Sequence, residues 1–288
     1  MKNNEAIYPV KKMAETLEVS RSSYYRWLTT GPNSHEVRDN ELLGIIKKIH
    51  EESRKNYGSP RIKRRFVELD IPCSKKRIER IMKNNGIKGV QKSRFIVTTD
   101  SKHDYPIAPN IVNRQFSVEQ INTCWVSDIT YIRTAEGWLY LSVIIDLFSR
   151  MIVGWSMAGH MRAELVIESL NMAVAHRKPP AGLIFHSDRG IQYACGEFRD
   201  ELQRHEMIQS MSRKGNCWDN ACSETLFGSL KVERLHGQRF KTRRQAMDEV
   251  VAWMLWCNRT RLHSMLAYVS PMRFEENWLA NQPRHASA

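Results

Sequence analysis

No two of the six cysteines (Cys73, Cys124, Cys195, Cys217, Cys222 and Cys257) stand in a C-x-x-C pair. Neither a disulfide framework nor a zinc ribbon is therefore expected. Cys217 and Cys222 have four residues between them, but no second Cys/His pair at metal spacing accompanies them. The thiols read as structural ones in a reducing cytoplasm. The chain also lacks a long apolar run. Its most apolar stretch, Leu139 to Trp155, is broken by Asp146, Ser149 and Arg150, so no membrane span is expected. Met1-Lys2-Asn3-Asn4-Glu5 has no signal-peptide core. These absences point to a soluble, intracellular protein.

What is present in excess is positive charge. The 288 residues carry a formal charge of +13. The first 100 residues hold 22 Lys and Arg against 12 Asp and Glu, a net of +10, and the rest only +3. A basic front ahead of a nearly balanced back reads as a polyanion-binding module joined to something else. The plainer alternative is a basic, soluble surface.

Residues 1–30 form a helix-turn-helix-like segment. Met13, Ala14, Leu17 and Val19 precede Ser20, a candidate N-cap, and Arg21 to Leu28 follow as a second helix exposing Arg21 and Arg26. An ordinary helical hairpin fits the same pattern. Residues 39–92 form a second helical, DNA-binding module. Leu42, Leu43, Ile46 and Ile49 give a stripe, Tyr57 to Ile62 a turn into a helix bearing Arg61, and Ser74 caps a basic helix with Lys75, Lys76, Arg77 and Arg80. Residues 93–121 read as a linker, 122–277 as a catalytic core and 278–288 as a tail.

In the core, strands are expected over Trp125–Arg133, Trp138–Asp146 and Met151–Met157, short connections making them antiparallel. A helix over Ala163–His176, a strand at Gly182–His186, a helix over Gly196–His205 and a strand at Met207–Met211 follow. Helices at Asp219–Leu235 and Gln245–Asn258 complete the series. This order fits an α/β, ribonuclease H-like fold: a mixed five-stranded sheet with flanking helices.

Three acidic residues on those elements carry the chemistry: Asp128 within the first strand, Asp188 after the fourth, and Glu224 one turn into the later helix. In this fold the first and fourth strands are central neighbours, so Asp128 and Asp188 can meet. Three hard oxygen ligands suit two Mg²⁺ ions that activate water and cut phosphodiesters. Asp128 is expected to bridge the ions, with Asp188 and Glu224 holding one each. Taken singly, Asp188 is also what a turn uses, and Glu224 is what any solvated helix carries. Asp128, among apolar strand neighbours, is costly to bury idle. Lys231, seven residues after Glu224 and on the same helical face, is placed to grip a DNA phosphate, unless it is an ordinary surface lysine.

Tyr57-Gly58-Ser59-Pro60-Arg61-Ile62, Trp125-Val126-Ser127-Asp128-Ile129-Thr130-Tyr131 and His186-Ser187-Asp188-Arg189-Gly190 are three signatures. Trp218-Asp219-Asn220-Ala221, Glu224, Gly228-Ser229-Leu230-Lys231, Asn258, Arg261, His263-Ser264, Leu266 and Ser270-Pro271 continue them. In these the chain closely resembles the catalytic, second-frame proteins of bacterial insertion-sequence transposases, of the DDE superfamily that includes retroviral integrases. The resemblance implies 3′-end cleavage and strand transfer of the element's own DNA, dependent on Mg²⁺ with Mn²⁺ as substitute. It also implies a first-frame protein as frameshift fusion or partner, a homo-oligomer on element ends and target DNA, and a cytoplasmic, nucleoid-associated setting. The chain shows no sustained heptads of its own. It departs from the pattern at Cys257, Leu262 and Ala267, where tyrosine, proline and glycine are usual; these positions flank the catalytic helix.

Asp219 and Asn220 are read as supporting residues, Asp219 as the N-cap of the catalytic helix, and Arg261 and His263 as braces of the triad. Gly228 either admits DNA backbone or relieves helix packing. Two other functions compete: a DNA-binding regulator on a decayed core, and a non-transposing nuclease of the same fold. An intact acidic triad argues against the first, and the basic modules in front against the second.

Overall fold

Side-chain caps open three of the helices in the N-terminal region. In the computed structural model, which describes residues 1–30, 33–90, 105–213 and 220–282, helix α1 spans Val10–Thr16 and α2 Arg21–Thr29. Ser20 caps α2 by accepting the Ser23 N–H. Helix α3 is Ser34–Glu52, opened by a reciprocal box in which Asn33 accepts the Glu36 N–H and Glu36 accepts the Asn33 N–H. Helix α4 is Ser59–Glu68 with Pro60 in its first turn, and α5 is Lys75–Asn84 with Ser74 accepting the Arg77 N–H. Such caps contribute about 1 kcal/mol each. Helices α3, α4 and α5 enclose Leu42, Ile46, Ile62, Phe66 and Ile78, all fully buried. The chain divides into two compact units, Met1–Gly89 and Val90–Ala288.

The second unit is built on a sheet. Strands β1 (Cys124–Thr134), β2 (Gly137–Asp146) and β3 (Ile152–Ala158) form an antiparallel meander. Helix α6 (Ala163–Arg177) leads to β4 (Ile184–Ser187), which pairs parallel to β1. Helices α7 (Ile191–Ala194) and α8 (Gly196–Arg204) precede β5 (Ile208–Met211), parallel to β4. The order β3-β2-β1-β4-β5 is the mixed, ribonuclease H-like sheet expected from the sequence. Helices α9 (Ala221–Leu230), α10 (Arg243–Arg259) and α11 (Pro271–Ala280) follow.

Strand alternation distributes the core to both faces. On β2, Leu139, Leu141, Val143 and Ile145 pack with Phe227 of α9 and Trp253 of α10, whereas Ile144 joins Trp125, Leu170 of α6 and Phe198 of α8. The contact between α6 and β3 is tight: a Cβ on Gly154 would stand 2.3 Å from the Ser169 carbonyl oxygen. Only glycine fits there.

Three expectations change. The helix foreseen over 219–235 is α only to Leu230. It continues as a π-helical turn, Lys231–Leu235, closed by the His236 N–H on the Lys231 carbonyl at 2.7 Å. Its N-cap is Asn220, with no side-chain capping bond. Asp219, expected in that role, lies outside the described residues, as does Trp218. Finally, part of the segment read as linker packs on the sheet, Val112 forming a small core with Cys124, Val126 and Leu147. Its apolar residues follow neither a helical nor a strand period, so sequence patterning does not reveal them.

Candidate active site

Parallel pairing of β1 with β4 sets Val126 opposite His186. Two residues on in each chain come Asp128 and Asp188, so the two carboxylates stand at one level. Strand β4 ends at Ser187, while β1 runs on, paired with β2 through Asp128 opposite Val143. The pair therefore borders the notch at the carboxyl end of β4. Crevices at the carboxyl ends of parallel strands are where open α/β sheets hold ligands.

Backbone amides orient both groups. The Ile129 N–H donates to Asp128 Oδ1 at 2.8 Å, and the Gly190 N–H donates to Asp188 Oδ1 at 2.9 Å. Glycine at 190 leaves room for that approach, since a Cβ there would lie 3.0 Å from the same Asp188 oxygen. Burial, and then the negative charge of Asp188, hold the Asp128 carboxyl well above the usual carboxylate range. Glu224 adds to the rise, while the Ile129 N–H and the Lys231 ammonium oppose it. Burial raises Glu224 as well, and it lowers Lys231 against the pull of Asp128. The Lys231 ammonium lies 5.5 Å from the centroid of the Tyr131 ring.

Asp128, Asp188, Glu224 and Lys231 thus share one electrostatic neighbourhood. Asp188 bears on Asp128 more strongly than Glu224 does. Among the described residues, no three His, Cys, Asp or Glu side chains are close enough to hold an ion between them.

Two supports, Tyr193 and Arg150, escaped the sequence reading. Tyr193, fully buried on α7, meets the Ser127 hydroxyl at 2.9 Å directly behind the pair. Burial, then the charges of Asp128 and Asp188, push its phenol well above the usual range. Arg150 ties the start of α9 to the sheet by donating to Cys222 Sγ at 2.6 Å and to the Phe116 carbonyl at 2.8 Å. Asn220 is buried at the head of α9, its Oδ1 without a hydrogen-bond partner among the described residues. A Cβ on Gly228 would meet nothing within 4 Å, so helix packing does not require glycine there. Arg261 bonds Glu233 and Ser229, and donates to His263 Nε2 at 3.1 Å.

Comparison with known proteins agrees with this architecture. Models of an integrase core domain match residues 118–217 and 224–279, and a model of an HTH-like domain matches 37–95. A 31 kDa protein of insertion element IS600 from Shigella sonnei is 39% identical over 92% of this chain and 98% of its own length. Transposase InsF for insertion sequence IS3A, from Escherichia coli K12, is 36% identical over 97% of this chain and 98% of its own. The chain belongs to the insertion-sequence transposase family. It is a polynucleotidyl transferase of DNA transposition and integration. Among solved structures, a simian T-cell lymphotropic virus intasome aligns with TM-score 0.48 and 16% identity, over 83% of this chain and 76% of that one. The magnesium complex of the HTLV-2 integrase catalytic core domain aligns with TM-score 0.40 and 16% identity, over 54% and 96%.

In this transposase, the basic residues foreseen as DNA contacts occupy different settings. Arg21 and Arg26 on α2 and Lys76 on α5 are exposed. Lys75, also exposed, reaches Glu79 at 3.4 Å. Arg80 donates to Asp39 at 2.7 Å, and so does Arg77. Arg61 is partly buried, its guanidinium 5.3 Å from the Tyr57 ring centroid. Among the described residues, no helix is long and apolar enough to cross a membrane.

Proposed function

We propose that this transposase cleaves 3′ ends of its insertion sequence and joins them to target DNA at Asp128, Asp188 and Glu224, which hold two Mg²⁺ ions or Mn²⁺ in their place. The observation that carries the reading is the Asp128–Asp188 pair, two carboxylates at one sheet level, with the charge of Asp188 raising the cost of ionising Asp128. A buried excess of negative charge with hard oxygen donors is the setting a divalent cation relieves. When bound, the ions supply activation of the attacking oxygen and stabilisation of the leaving one.

The chain's own groups do the rest. Asp128, its orientation fixed by the Ile129 N–H, would hold the ions with Asp188. Asp188 is aimed by the Gly190 N–H, and Glu224 joins the pair from the first turn of α9 once DNA is engaged. Lys231 offsets the local negative charge and holds a phosphate of the bound strand. Arg21, Arg26, Arg61, Lys75, Lys76 and Arg80 supply phosphate contacts that position DNA. A first-frame protein, fused or as partner, supplies what this chain's missing heptads do not, and the active complex is a homo-oligomer on DNA in the cytoplasm.

Asp188→Asn tests the assignment. It removes a ligand charge and touches neither basic helical module. Cleavage and joining should be lost, while duplex binding persists and weakens steeply with salt as phosphate contacts release counterions. Joined products at the wild-type level from Asp188→Asn in Mg²⁺ would refute the triad. Nicking without joining by the wild-type chain would favour a nuclease, and binding alone a regulator.

A further inference from the structure

Behind the face of α9 that carries Glu224 lies a buried ion pair, Glu233 with Arg261. Glu233, in the π-helical turn, accepts from Arg261 Nη2 at 2.6 Å and Nε at 2.9 Å, and from the Trp253 indole N–H at 3.3 Å. The two side chains are 8% and 6% exposed. Arg261 Nη2 also reaches Ser229 Oγ at 3.2 Å, in the last turn of α9. One guanidinium therefore grips both sides of the point where α-helix becomes π-helix, and that point is Lys231.

The geometry decides what the grip does. Glu233 follows Lys231 by two residues, which sets the two side chains on opposite sides of the helical turn. Glu233 faces α10 and the segment after it, while Lys231 faces Tyr131 and Asp128. A planar fork on a carboxylate fixes rotation about the helix axis as well as distance. Buried pairs add little net stability over apolar residues of equal volume, because both charges are desolvated. What such a pair can add is register, and π-helical turns, unfavourable in isolation, collect at functional sites.

We propose that Glu233, held by Arg261 and Trp253, is a positioning residue that sets the rotation of the π-helical turn and so aims Lys231 at the Asp128 side of the active site. The inference rests on the site assignment under Proposed function.

The test uses a marked copy of the insertion sequence that encodes the chain, with its own reading frames intact. Transposition frequency in cells is measured and normalised to protein abundance, and melting temperature is measured on the purified full chain. Glu233→Leu/Arg261→Met replaces the pair by apolar side chains, so the protein should melt near the wild-type temperature. Its transposition should fall at least about tenfold, the scale on which misplaced groups act. Lys231→Ala should lower transposition in the wild-type background and lower it no further in the pair-less one, the coupling a double-mutant cycle reads. Arg261→Lys, which keeps the charges paired but removes the fork, should give an intermediate frequency.

A stable pair-less protein at wild-type frequency would overturn the inference. So would a full, independent loss from Lys231→Ala in that background. Should the pair-less protein fail to fold, wild-type frequency in a folded Arg261→Lys would overturn it as well. Lys231→Ala at wild-type frequency in the wild-type background would instead strike the site assignment, and the inference with it.

Discussion

Gly190 has an ordinary extended backbone, φ −61° and ψ 142°, so its requirement is steric rather than conformational. A methyl group would press on Asp188 Oδ1 and on Gln192 Oε1, each 3.0 Å away. Gly190→Ala should therefore shift the Asp188 carboxylate by a few tenths of an ångström. Its cleavage rate should fall about tenfold or more, with the melting temperature nearly unchanged. A wild-type single-turnover rate would show that Asp188 tolerates the displacement. The nearness of Asp128 to Asp188 was legible in the sequence because the expected strand order sets β1 beside β4. Gly190, Tyr193 and Glu233 were not, since each owes its role to a contact made only in the fold. Tyr193 reaches back to Ser127, and Glu233 forward to Arg261.

Among the helices of the first unit, Asp39 joins α3 to α5 by accepting from both Arg77 and Arg80. The Arg77 hydrogen bond, then that of Arg80, holds the Asp39 carboxyl below its usual range against the opposing effect of burial. A depressed folded-state value means the unfolded chain binds more protons in that window. The contribution is therefore complete above the ordinary carboxylate range and is lost as pH falls through the folded value. Asp39→Asn should lower the melting temperature near pH 7 and make no difference at strongly acidic pH. The loss should be small, as the arginines are partly exposed. An equal deficit at both pH values would assign Asp39 a packing role instead. At this scale the strands were readable from alternation and α2 and α5 from their caps. Asn33 with Glu36, a capping box, and Ser270-Pro271, the start of α11, carry equally local signals that went unread. The π-helical turn was not readable: Lys231-Val232-Glu233-Arg234-Leu235 continues a helix locally, and the residues holding it otherwise, Trp253 and Arg261, lie in α10 and just beyond it.

Across the whole molecule, the charge asymmetry and the order of elements foretold a basic helical unit ahead of a mixed sheet. The side-chain environment of the basic residues was invisible in composition, and three on the basic helix, Lys75, Arg77 and Arg80, have carboxylate partners within their own unit. The sheet order has a further consequence, for the route by which the protein folds. Hairpin β1–β2 closes through a tight turn between Thr134 and Gly137, whereas β4 reaches β1 only after β2, β3 and α6 have been laid down. Non-local closure costs chain entropy before any contact repays it. The meander should therefore form first, leaving one flank of β1, with Asp128 on it, an unpaired edge until β4 docks. In pulse-labelled hydrogen exchange during refolding, amides pairing β1 with β2 should be protected ahead of the Ile184 N–H, which donates to the Thr123 carbonyl at 3.0 Å. Simultaneous protection would mean that the strands condense together. If the meander does lead, the strand bearing the first carboxylate is also the one most exposed to sticking to another chain, and catalytic competence and escape from aggregation arrive in the same step.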